Sequence, residues 1–221
     1  MEKLLNLADF FDRPARFLGK VAGWIMLPLI GVIMFDVITR KIDFIRIGMA
    51  ELNLRWLNPI IFQDMEWHLH GVILFLSFGF GYLMNAHVRV DIFREMLSHR
   101  KQAWFELCGL ILFAIPYLSL ITYFAIRFVL LSFSQGEGSE SLTGIGMRYI
   151  IKAAMVFGFL LLWAAFIATM LRLFAYLFGD ANTQHSAEGK LAVFAESEEL
   201  EKHRQELERA SAAQTHREAA P

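Results

Sequence analysis

One cysteine, Cys108, stands in 221 residues, which excludes an intrachain disulfide and any multi-cysteine metal site. Its place inside an apolar run predicts a buried structural thiol. Charge of either sign is absent from the twenty positions Leu107–Ile126 and the nineteen positions Ala153–Leu171. Both stretches therefore lack the midplane polar groups or helix breaks that a self-sufficient ion or acid transporter carries. With a formal net charge of −1, no global field points to nucleic acid or to an acidic partner. No cleavable signal peptide is expected. Residues 1–16 place Leu4, Leu7 and Phe11 at helical spacing with Asp9 and Asp12 off that stripe, which predicts a short interfacial helix ended or bent at Pro14.

Apolar residues make up 56% of the chain, above the roughly 45–50% of a soluble domain, and mean hydropathy is +0.44. They concentrate before residue 179, whereas 179–221 is polar. The expectation is an all-α, polytopic membrane domain over 1–178 followed by a cytoplasmic polar tail. A span needs ~20 mostly apolar residues to cross ~30 Å of hydrocarbon. Four stretches qualify, with helices expected at about 17–38, 63–85, 105–128 and 150–173. In the first, Lys20 can snorkel to the interface, and Asp36 lies four residues before Arg40, close enough to pair.

The second stretch begins with Asn58-Pro59, an N-cap followed by proline at the first helical position. Its opening turns are polar (Gln63, Asp64, Glu66, His68, His70) before an apolar run from Gly71 to Met84. Glu66 inside the membrane profile needs a partner. Between the first two helices, Met49, Leu52, Trp56 and Ile60 share a face, so a flat interfacial helix is expected at about 44–57. Lys and Arg flanking the spans favour cytoplasmic N and C termini, against the sign of Arg40, Lys41, Arg46 and Arg55. The tail, rich in Glu, Lys and Arg near 196–209, is expected to be partly helical and mobile.

Three histidines invite a metal or haem reading. His70 and His87 lie ~25 Å apart along one helix and cannot clamp one haem. His68 and His70 diverge, whereas Glu66 and His70 share a face but make only two ligands. No cofactor is therefore expected; an inward polar stripe pairing with a helix or subunit accounts for these residues. Gly136–Ser141 lacks the lysine-serine ending of a phosphate loop and is expected to be a flexible turn. Ser77 with Gly81, and Ala154 with Gly158, have the spacing that lets helices approach closely. No catalytic triad can be assembled, so no enzyme activity is expected. Two alternatives remain beside a transporter subunit: a membrane anchor for a redox enzyme, and a stand-alone channel or scaffold.

Residues 66–97, EWHLHGVILFLSFGFGYLMNAHVRVDIFREML, resemble the small membrane subunit of tripartite ATP-independent periplasmic (TRAP) transporters. The resemblance rests on Glu66, the run Gly71–Met84, and Ala86-His87-Val88-Arg89-Val90-Asp91, with Arg40 after the first helix; it extends over roughly 15–178. It implies a scaffold subunit of a sodium-coupled organic-acid importer in the bacterial inner membrane. Its implied partners are a large multi-helix permease subunit, a periplasmic substrate-binding protein and membrane lipid. It further implies that Glu66 and His70 meet the large subunit or brace the bundle, and that Arg89 and Asp91 fix the turn into 92–97, with Arg40 and His87 as further polar positions. The GEGS loop and the long 40–62 connection resemble the branch associated with mannitol- or haloaromatic-type substrates.

Overall fold

Backbone amides in lipid must find partners within their own segment, so long apolar runs fold as helices. The computed structural model describes residues 1–42, 44, 47–48, 59–86, 97–141, 144–191 and 194, and among them there is no strand. The helices are α1 (Glu2–Lys41), α2 (Pro59–Leu83), α3 (His99–Ser134), α4 (Arg148–Phe178) and α5 (Ala181–Glu188). Three of them, α1, α3 and α4, are long and apolar enough to cross a membrane. At 25 residues α2 has the length, but its polar opening turns dilute its apolar content, and it is not among the three. The expected interfacial helix at 44–57 falls almost entirely outside the described residues.

Two prolines lie within α1 without ending it. The separate interfacial helix expected over 1–16 is instead the first part of this 40-residue helix. Burial explains the difference. Leu5, Ala8, Asp12 and Ala15 are covered, with Leu5 packing on Ala175 of α4 and Ala187 of α5. An Asp12–Arg16 ion pair of 2.6 Å also spans the turn that holds Pro14. In α3, a single π-helical turn at Leu110–Ala114 directly precedes Ile115-Pro116. The wider turn accommodates a ring that would otherwise press on the carbonyl four residues back.

The helices alternate in direction. Asp9 and Asp12 near the start of α1 meet Arg172 near the end of α4, and His99 at the start of α3 meets Glu188 of α5 at 2.9 Å. At the opposite end, Arg40 of α1 reaches Pro59 of α2, and Asp64 of α2 meets the α3–α4 loop. One end thus gathers α1's start and α4's finish; the other gathers the α1–α2 and α3–α4 connections.

α1, α2 and α4 pack on one another, and α3 packs on α4. Glycines set the close approaches. A Cβ at Gly79 of α2 would stand 2.7 Å from the Leu161 carbonyl oxygen of α4 and 3.0 Å from Ala15 Cβ of α1. One at Gly158 of α4 would stand 2.6 Å from the Phe75 carbonyl oxygen, and one at Gly19 would collide with Phe80. Such contact is what holds helices together where lipid removes the hydrophobic driving force. The expected Gly158 contact is present, but Gly81 faces open space, and Ser77 Oγ donates within its own helix to the Ile73 carbonyl at 2.7 Å. The seam on α2 runs through Gly79.

Two further expectations are corrected. Cys108 is exposed, on the outer side of α3, because the face of that turn packed inward belongs to Ala103, Leu107 and Leu110. The first part of the tail is docked: Leu191 and Phe194 are buried against α3 and α4, and Phe194 stacks on His99 at 5.0 Å between ring centroids.

Candidate functional site

Polar side chains form a cap at each end of an apolar bundle. At the loop end, buried Asp64 of α2 gathers three donors. Its Oδ2 accepts Ser139 Oγ at 2.8 Å and the Ile145 N–H at 2.7 Å, while Oδ1 accepts Trp67 Nε1 at 3.2 Å. Arg148 lies over the Trp67 ring, 5.4 Å from its centroid, a cation–π contact strengthened where water is scarce. The loop backbone is bound to α3 as well. Gly136, at φ +57, closes that helix: its N–H reaches the Phe133 carbonyl, and the Glu137 N–H reaches the Ser132 carbonyl. This left-handed cap satisfies carbonyls the helix end leaves orphaned, at a backbone angle that glycine adopts without strain. The segment expected to be a flexible turn is therefore clamped at both sides.

Glu137 completes the clamp, with Oε2 accepting Ser132 Oγ at 2.6 Å and Lys152 Nζ. The hydrogen bond from Lys152, then that from Ser132, hold its carboxyl below the ordinary glutamate range despite some desolvation. A folded pKa below the unfolded value of ~4.3 contributes stability that is complete above that value and disappears as pH falls through the folded one. Amide exchange across 136–141 should therefore be slower in the parent than in Glu137→Gln at pH ~7, and the two should converge once pH has fallen below the folded pKa of Glu137. A difference that persists at acid pH would remove Glu137 from the clamp.

The residues expected from sequence lie around this cap or outside the described chain. Arg40 donates from Nε to Asp36 at 3.0 Å and from Nη2 to the Pro59 carbonyl at 3.3 Å. The expected Asp36–Arg40 pair is thus present and also ties α1 to the start of α2. Glu66 was expected to have a partner; its Oε1 is buried and has no hydrogen-bond partner among the described residues. His70 Nδ1 lies 3.0 Å from the Glu66 carbonyl oxygen, so it meets the backbone of Glu66 rather than its carboxylate. No group of three or more His, Cys, Asp or Glu among the described residues could hold a metal. His87, Arg89 and Asp91 lie outside the described residues.

One face of α2 is left open. Gln63, Trp67, His70 and Leu74 recur at helical spacing and are exposed, and Gly81 continues that face without a neighbour. Gln63 and His70 are poor residues to offer to hydrocarbon, so this face has the chemistry of a subunit contact.

At the other end, Arg172 is 2% exposed. Its Nη2 donates to Asp12 Oδ2 at 2.5 Å and to Asp9 Oδ1 at 3.0 Å. Asp12 also accepts Arg16, and Asp9 accepts Lys190 at 2.7 Å. Sequence reading passed over this network. The signal available was two carboxylates three residues apart, both off the apolar stripe, and an arginine closing an otherwise apolar helix at the same end.

Over residues 29–175 the chain matches the family described as "Tripartite ATP-independent periplasmic transporters, DctQ component". No curated protein and no solved structure matches it. The matched region holds Arg40, Glu66, the open face of α2 and the α2–α4 side of its seam; Asp9, Asp12, Ala15, Gly19 and α5 lie outside it. This is a family of transporter components rather than of enzymes. On that match, joined to the apolar spanning helices, the chain belongs to the DctQ component family of TRAP transporters, the small permease subunits of those systems.

Proposed function

We propose that this subunit is the static scaffold of a sodium-coupled organic-acid importer in the bacterial inner membrane. It pairs with a large multi-helix permease subunit that holds the substrate and sodium sites, and a periplasmic binding protein delivers the substrate. The observation that carries the pairing is the open face of α2, where exposed Gln63 and His70 lie beside the buried, unpartnered Glu66 Oε1. A polar strip of this kind is costly against lipid and is relieved by donors from a neighbouring helix. α2 is then the fourth span, its polar turns covered by α1, α4 and the large subunit. The termini face the cytoplasm, in keeping with the basic flanks. The family match gives no support to a redox-enzyme anchor.

Mild-detergent purification of the tagged chain from its native membranes, with mass spectrometry, tests the reading. A stoichiometric hydrophobic protein of many helices should copurify, and Glu66→Ala should reduce its recovery about tenfold, as expected when a charge-assisted contact is lost. Substrate affinity of the complexes that still form should be unchanged. Normal recovery with lowered affinity would move Glu66 from assembly to transport.

A further inference from the structure

The end of the bundle that carries Arg172 also holds an open cleft of about 500 Å³. Four cations line it, Arg13, Arg16, Arg172 and Lys190, against the two carboxylates Asp9 and Asp12. The pairs already described use both carboxylates, leaving the cleft two positive charges in excess. Arg13 is exposed and makes no ion pair among the described residues. Two residues of the cleft lining each hold a buried polar atom without a hydrogen-bond partner among the described residues: Arg172 Nε, a donor, and Asn85 Oδ1, an acceptor. Arg172 as a whole is 2% exposed, so an idle donor there carries a desolvation cost. Leu83 and Met84 supply an apolar wall. They stand at the end of α2, level with the place where the apolar runs give way to charge and where headgroups begin.

We propose that this cleft binds a phosphate oxyanion, and that phosphoglycerol, the headgroup of an anionic phospholipid, fits it best. The phosphate oxygens accept from Arg172 Nε and Arg13, and a glycerol hydroxyl donates to Asn85 Oδ1. Cationic side chains at this depth attract anionic lipid in general; the two idle buried atoms make this cleft a site rather than a patch. Occupancy would join α1, α2, α4 and the segment after α5, because each contributes a residue to the lining.

Native mass spectrometry of the full chain in dodecyl maltoside, with phosphatidylglycerol or phosphatidylcholine added, tests the proposal. One phosphatidylglycerol should be retained in preference to phosphatidylcholine. Arg13→Gln, which breaks no ion pair described here, should weaken retention about tenfold, and Lys20→Gln, outside the cleft, should leave it unchanged. Displacement of the lipid by millimolar inorganic phosphate would make free phosphate an alternative occupant; resistance would assign the site to lipid. Equal retention of the two lipids, or equal loss in Arg13→Gln and Lys20→Gln, would overturn the proposal.

Discussion

Asp12→Ala should be the most damaging single replacement of a charged residue in this chain, destabilising it by about 3–5 kcal/mol. The side chain stands between two arginines, accepting Arg16 at 2.6 Å and Arg172 at 2.5 Å. Its removal leaves Arg172 buried, with Asp9 at 3.0 Å as its remaining carboxylate among the described residues. The loss comes from stranding a charge already taken out of water, more than from the attraction itself. A double variant separates the two effects. Arg172→Met removes the stranded charge while keeping an unbranched chain in the space, so Asp12→Ala/Arg172→Met should be more stable than Asp12→Ala alone. Unfolding of both variants and the parent in one detergent measures this. A cost for Asp12→Ala within ~0.5 kcal/mol of the parent, the range of ordinary surface changes, would mean the pair is solvated in practice.

The second large effect lies in the glycine seam. Gly158→Ala places a methyl 2.6 Å from the Phe75 carbonyl oxygen and 2.9 Å from Phe75 Cβ, and Gly79→Ala places one 2.7 Å from the Leu161 carbonyl oxygen. Backbone cannot rotate away as a side-chain tip can, so the helices must separate. Overpacking of this kind costs typically ~1–3 kcal/mol, and the two sites share α2, so their combination should not be additive. Gly81→Ala meets nothing within 4 Å and removes a poor helix former, so it should be neutral or stabilising by up to ~1 kcal/mol. Thermal unfolding of the three alanine variants discriminates the cases. Equal behaviour at 79, 81 and 158 would mean the seam is loosely packed. Gly81→Ala carries a second expectation, since a methyl on the open face of α2 should impair recovery of the large subunit while leaving this chain intact.

The difference between what was legible and what was not follows the range of the interactions. Uncharged runs such as Leu107–Ile126 and Ala153–Leu171 declare their helices because lipid accepts few other structures. The Asp36–Arg40 pair was readable because its partners sit one turn apart on one helix. Asp12–Arg172 and Asp64–Ser139 were not, since each joins residues more than seventy positions apart. Periodicity reports which face of a helix is apolar, not which neighbour it meets. That is also why small-residue spacing picked Gly158 correctly but chose Gly81 over Gly79: Gly81 has Ser77 four residues before it, whereas Gly79 has Phe75 and Leu83 at that spacing, and only the positions of α1 and α4 reveal its contact. Pro14 misled for a related reason. Proline is read as a stop, but here the segment on either side has its own packing partners in α4 and α5. Glu66 was identified as needing a partner, and beside the open face of α2 its Oε1 has none among the described residues.

The position of α2 bears on how the protein is made. Helices leave the insertion machinery in chain order, so α1 and α2 can pair as soon as both have emerged. α3 arrives next and finds little to hold, because its packing surface is on α4. Until the last span emerges, the second face of α2 is uncovered, Arg172 is absent, and Asp12 has only its neighbour Arg16. Maturation is thus withheld until synthesis is nearly complete. A chain that stalls before residue 148 lacks α4, and with it the seam partner of Gly79 and the arginine that meets Asp9 and Asp12.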